Sequence, residues 1–257
     1  MSLLNPKFAK VPAEQSCELR VRDTGIHCLR SIRSYGKVGP NVQRHSAALA
    51  FGIFALVGIM GPASAAERTI KIVAFGDSLT AGYQLPAQDT FPVQLERALK
   101  AKGFAVEIAN AGVSGDTSSG GLSRLDWSVP DGTDAVILEL GANDMLRAID
   151  PKVTREALTE IVRKLKARGI EVLLCGMLAP RNLGPDYTNA FDLIYPDLAK
   201  TNGLLLYPFF LDGIAADAKL NQNDGLHPTT AGVAKIVEGI LPKVEELVAR
   251  VRAKPAN

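Results

Sequence analysis

Histidine and cysteine are scarce in this chain, three of each in 257 residues, and two of each fall within the first 45 positions. Beyond residue 66 only His227 and Cys175 remain. A metal site built on several imidazoles is therefore excluded in that part, and any imidazole chemistry must pass through His227. No intrachain disulfide can form there, even in an oxidising compartment. Cys175 closes the apolar run Val172-Leu173-Leu174, which reads as a small core residue rather than a reactive thiol. Internal repeats, low-complexity tracts and a Pro-rich linker are also lacking.

A long hydrophobic span is missing as well. The apolar run Ala47–Met60 has fourteen residues, short against the ~20 needed to cross a bilayer, and Gly61 and Pro62 close it. Arg44 precedes it and Pro62-Ala63-Ser64-Ala65-Ala66 follows, the order of a basic region, an apolar core and a small-residue cleavage site. Residues 46–66 are therefore expected to be a signal peptide cut after Ala65 or Ala66. The competing reading is a membrane anchor. No cysteine stands directly after the run, so a lipid-modified terminus is not expected, and the product is expected in the periplasm or outside the cell.

Residues 1–45 carry eight Lys or Arg against three acids and show no sustained periodicity. They are expected to be a disordered extension or an artefact of translation truly starting near Val38 or Val42. A peptide from residues 1–37 found in cells would exclude the second idea. This leader holds eight of the 29 bases and three of the 27 acids, leaving 21 against 24 afterwards, a net of about −3. The basic balance of the whole chain thus comes from the leader, and nothing points to nucleic acid.

Residues 67–257 suit one domain with a substantial core. Short runs rich in branched residues, at Ile70–Phe75, Ala105–Ala109, Ala135–Leu140, Val172–Cys175 and Leu204–Tyr207, read as strands buried on both faces. Helical patterns lie between them, at Phe91–Lys102, Thr117–Trp127, Val153–Arg168 and Tyr187–Thr201. A last helix is expected from Pro228 to about Val251, kinked at Pro242. Strand and helix in alternation imply right-handed βαβ units, hence a three-layer α/β/α sandwich around a five-stranded parallel sheet, flavodoxin-like in its winding. Ligands of such sheets bind outside the carboxyl ends of the strands, and three loops carrying Ser78, Gly115 and Asn143 converge there.

Those loops hold the chemistry. Gly76-Asp77-Ser78-Leu79 has the form of a strand-to-helix turn that exposes a hydroxyl beside outward-pointing N–H groups, although a serine there equally suits a plain helix cap. It is not the G-x-S-x-G elbow, because Thr80 stands at the second glycine's place. Asp224 and His227, at i and i+3, fit a carboxylate that fixes an imidazole tautomer; a surface histidine beside a cap fits equally well. Asn143, in Gly141-Ala142-Asn143-Asp144, offers an amide to a developing oxyanion or simply a turn residue. The loop Asn110–Thr117, with Gly115, offers a backbone donor or, equally, a phosphate loop.

Taken together, in this order, the four segments resemble the SGNH or GDSL hydrolases over nearly all of the chain from about Thr69 onward. The segments Thr80-Ala81-Gly82-Tyr83, Ser114-Gly115-Asp116-Thr117, Tyr195-Pro196-Asp197-Leu198-Ala199-Lys200 and Pro208-Phe209-Phe210 are most similar to the secreted branch of acyl-CoA thioesterases, lysophospholipases and arylesterases. The resemblance implies Ser78 as nucleophile, His227 as general base and Asp224 as its orienting partner. It implies an oxyanion hole from the N–H groups of Ser78 and Gly115 and the Asn143 side chain, and it requires no metal or other cofactor. The expected enzyme is a secreted, monomeric serine esterase or thioesterase acting on small acyl substrates: aryl esters, acyl-CoA and lysophospholipids. The long loop Met177–Pro185, with Met145 and Leu146, either borders an acyl pocket or is an ordinary surface connection. Carbohydrate deacetylation is the alternative within the family. A nucleotide-binding module is the alternative outside it, disfavoured because the first loop lacks G-x-G-x-x-G and the chain lacks G-x-x-x-x-G-K-S/T.

Overall fold

The computed structural model describes residues 68–254. The expected signal peptide and basic extension lie outside the described residues. Along the described chain run β1 (Ile70–Gly76), α1 (Ser78–Ala81), α2 (Phe91–Ala101), β2 (Val106–Gly112), α3 (Ser118–Ser128), β3 (Ala135–Glu139), α4 (Ala142–Leu146) and α5 (Pro151–Ala167). They are followed by β4 (Glu171–Cys175), α6 (Pro185–Asp192), α7 (Ile194–Asn202), β5 (Leu205–Tyr207) and α8 (Thr230–Ala253).

All four pairings are parallel and the strand order is β2-β1-β3-β4-β5, the doubly wound arrangement expected from the alternation of runs. Helices α2 and α8 pack together on one face, while α3, α5 and α7 cover the other. Central strand β3 is buried at every position because both faces are covered, which is why its sequence is an unbroken apolar run up to Glu139. Helix α5 shows how the layers are held. Pro151 opens it, the Asp150 carboxylate caps the Lys152 N–H at 2.9 Å, and Leu158, Ile161, Val162 and Leu165 bury one stripe. Each such side chain is worth roughly 1.5–3 kcal/mol of apolar burial.

Three departures from the expected boundaries have local reasons. β2 continues to Gly112, which pairs with Gly76; a Cβ at Gly112 would lie 2.2 Å from the Ala81 nitrogen, so only glycine lets α1 sit that close. The expected helix Tyr187–Thr201 is two helices broken at Leu193. Pro196 supplies the cause: it has no N–H and its ring would clash with the carbonyl one turn back, so it is accommodated in the first turn of a new helix. The last helix begins at Thr230 rather than Pro228. Thr229 takes the cap and accepts from the Gly232 N–H, while Pro228 forms an isolated antiparallel bridge with Asn221. Helix α8 then continues through Pro242, whose position is on the solvent side.

Candidate active site

Three strand ends and one loop bring the expected residues together. Ser78 is the first residue of α1, two positions after β1, so its N–H has no carbonyl one turn back to bond. Asp77 caps this short helix, its Oδ1 accepting from the Leu79 N–H at 3.0 Å. Opposite stands the turn Asp224–His227. Asp224 Oδ1 accepts the backbone N–H groups of Leu226 and His227 at 2.9 and 3.0 Å, and Oδ2 lies 2.7 Å from His227 Nδ1. His227 Nε2 is 2.9 Å from Ser78 Oγ.

Those bonds have an electrostatic consequence. The two backbone N–H groups, then the imidazole, hold the Asp224 carboxyl down at about 2. Ionised, Asp224 can only accept, so the hydrogen sits on Nδ1 and the lone pair of Nε2 faces the serine hydroxyl. The Tyr83 ring packs on the imidazole with centroids 4.5 Å apart, and the Tyr83 backbone ties both sides of the site together. Its N–H donates to Ser78 O at 3.1 Å and its carbonyl accepts from Gln222 Nε2 at 2.9 Å.

Asn143 lies in α4, immediately beyond β3. Its Nδ2 donates to Asp77 Oδ2 at 3.0 Å, which uses one amide hydrogen and orients the other. Gly115 is held at φ +83° in the loop after β2, with its carbonyl accepting from Arg147 at 2.8 Å.

Several residues that build this edge were given no role by the sequence. Buried Arg124 bonds Asp116 at 2.6 Å and the carbonyls of Ala111 and Gly76 at 2.8 Å each, with its guanidinium 4.1 Å over the Phe75 ring; it ties the ends of β1 and β2 to the Gly115 loop. Asp144, also buried, gathers the Ser118 N–H and hydroxyl and the Thr154 hydroxyl, locking α4 to α3 and α5. The Tyr195 hydroxyl reaches the Leu140 carbonyl at 2.9 Å and occupies the space that a Cβ on Gly141 would need. Each is a buried polar group whose partners lie far along the chain, where sequence neighbours say nothing of them.

Gly76 also has a different reason from the one expected. A Cβ there would fall 2.1 Å from Thr80 Oγ1 and 2.6 Å from Glu139 Oε2, so the glycine makes room for a buried carboxyl beneath the turn. Thr80, the residue that breaks the elbow pattern, donates to Glu139 Oε2 at 2.8 Å. Among the described residues no group of three or more metal-ligating side chains is present, and no helix is long and apolar enough to cross a membrane.

Residues 74–235 match the model of the GDSL-like lipase/acylhydrolase family. The arylesterase of Vibrio mimicus is 37% identical over 186 residues, 72% of this chain and 92% of that protein. The thioesterase 1/protease 1/lysophospholipase L1 of Escherichia coli K12 is 36% identical over 72% of this chain and 87% of its own length. Among solved structures, AlinE4, an SGNH-hydrolase family esterase, is 42% identical and superposes with a TM-score of 0.60 over 75% of this chain and all of its own.

Proposed function

The chain belongs to the GDSL-like lipase/acylhydrolase family and is a hydrolase of ester bonds, and from that premise we propose that it works as a serine esterase or thioesterase through a covalent acyl-enzyme. The observation that carries the reading is the line Asp224 Oδ2, His227 Nδ1, His227 Nε2, Ser78 Oγ, with steps of 2.7 and 2.9 Å. His227 Nε2 takes the hydroxyl proton as Ser78 Oγ attacks the acyl carbon, and Asp224 stabilises the imidazolium that forms. The oxyanion rests on the N–H groups of Ser78 and Gly115 and the second amide hydrogen of Asn143. The Nε2 proton then passes to the departing alkoxide or thiolate. Water gives its own proton to Nε2 and attacks the acyl group, and collapse of the adduct returns that proton to Ser78 Oγ as the carboxylic acid leaves. No cofactor enters any step.

Small acyl esters and thioesters are the proposed substrates. Val113 and Leu178 stand exposed on the loops leaving β2 and β4, Leu146 at the end of α4 beyond β3, and Leu226 on the Asp224–His227 turn; these are the proposed apolar surround for an acyl or aryl group. Residues 46–66 are proposed to export the enzyme, which then acts as a monomer outside the cytoplasm. The test uses Ser78→Ala as the blank in a panel of aryl esters, acyl-CoAs, lysophospholipids and acetylated xylan. Wild type should hydrolyse aryl esters and be labelled by an organophosphonate, and the variant should lose both. Undiminished hydrolysis of p-nitrophenyl acetate by Ser78→Ala would sink the assignment.

A further inference from the structure

Beneath the nucleophile's turn lies a second carboxyl for which the acyl-transfer steps have no use. Glu139, the last residue of β3, is fully buried next to Asp77, itself fully buried. Its Oε2 accepts the Thr80 hydroxyl at 2.8 Å and the Asp77 N–H at 3.4 Å, while its Oε1 has no hydrogen-bond partner. Strand β3 is otherwise apolar, and a carboxyl placed there with one oxygen unsatisfied costs stability that a leucine would not. Such a group persists where it serves something, and a polar path outward runs through Asp77, whose Oδ2 holds the Asn143 amide.

We propose that Glu139 is a positioning residue for the oxyanion donor: as a neutral carboxylic acid it braces Asp77 from below, and Asp77 in turn fixes the Asn143 amide toward the reacting carbonyl. This rests on the esterase reading given above and adds to it a residue that never touches substrate. Neutrality follows from the surroundings. Burial first, then the charge of Asp77, pushes Glu139 well above the ordinary carboxylate range. Burial pushes Asp77 up to about 6, while its bonds with the Leu79 N–H, Asn143 and Glu139 pull it down. One charge is thus shared by two carboxyls, and it resides on Asp77 at neutral pH. The other titratable and charged groups about the pair are His227 beyond Ser78, Cys175 on β4, Tyr195 on α7, and Arg124 on α3 through the Gly76 carbonyl. As pH falls through about 6, Asp77 takes a proton and its grip on the Asn143 amide weakens.

The experiment compares Glu139→Leu, Glu139→Gln and Thr80→Val with wild type, reading kcat and KM for p-nitrophenyl acetate from pH 5 to 9 and the rate of organophosphonate capture. Glu139→Leu should lower kcat about tenfold or more, a sizeable part of the ~10²- to 10³-fold that loss of a whole oxyanion donor costs. KM should stay within about twofold, capture should slow in step with kcat, and the acid limb should move to higher pH. The neutral, similarly shaped Gln should rescue kcat to within about threefold of wild type and return the limb to its place. Should Glu139→Leu fail to fold, Thr80→Val, which removes the hydroxyl on Glu139, carries the same test with a loss of about threefold or more and the same direction of shift. A Gln variant as impaired as Leu would mean that the charge matters and overturns the proposal. So would a folded Leu or Val variant with wild-type kcat and acid limb. Failure of the esterase reading is a separate result, an active and still labelled Ser78→Ala protein.

Discussion

Asp77 and Asp224 are the same side chain serving one site from opposite environments. Asp224 is more than a third exposed on a loop and held at about 2 because two backbone N–H groups and an imidazole converge on it. Asp77 lies under the first strand's turn, where burial beside Glu139 lifts it to about 6 despite three favourable bonds. Hydrogen-bond count alone therefore does not decide the charge of a carboxylate; the desolvation it has suffered does. The consequence is a division of labour. On the mechanism proposed above, the exposed aspartate, charged at neutral pH, would orient the base, while the buried one would make the oxyanion donor sensitive to mild acid.

The comparison breaks first at Asp224. Asparagine there can donate to Nδ1 and so favours the wrong imidazole tautomer, for an expected loss of about 10³- to 10⁴-fold in kcat. Asparagine keeps an oxygen for the two backbone N–H groups, so the melting temperature should fall by no more than about a few degrees; a larger drop would mean that the residue is structural. Asn143→Ala should come next, at about 10²- to 10³-fold or ~2.7–4 kcal/mol of transition-state stabilisation, with KM nearly unchanged. Steady-state kinetics of the folded variant would check it, and a wild-type kcat would leave Asp77 with no donor to position.

The smallest effect is on stability, and its sign separates the two aspartates. A carboxyl raised in the folded state contributes in full below its unfolded value near 4 and loses that contribution as pH rises through its folded one. For Asp77 the window therefore runs from about pH 4 up through about 6. Relative to Asp77→Asn, wild type should lose on the order of 2–3 kcal/mol across that window, measured by denaturant unfolding at fixed ionic strength. Asp224 acts in reverse: its contribution is present above about 4 and lost only as pH falls through about 2. An Asp77→Asn protein whose stability tracks wild type from pH 4 to 8 would remove the contrast.

The strands, their order of appearance and the three loops at one sheet edge were legible because buried parallel strands leave continuous apolar runs and the loops between them are short. His227 stood out for a cheaper reason: with one histidine after residue 66, any imidazole chemistry had to pass through it, whereas roles for Ser78 and Asp224 came from the resemblance of their segments to the family's motifs. The break at Leu193 was missed because apolar spacing carries on through Pro196, and only the clash of its ring with the preceding turn interrupts the helix. Glu139 was hidden inside the run Ala135–Leu140, where pattern reading counts a single acid as noise.

Residue types and their order along the chain were enough to determine the fold class and the chemical inventory, since period and composition are local properties. Which carboxyl is buried, which amide it holds and what lies beneath Ser78 were decided only by tertiary structure. Desolvation and hydrogen bonding depend on neighbours such as Asp77 and Glu139, 62 positions apart in sequence and pressed together by the pairing of β1 with β3.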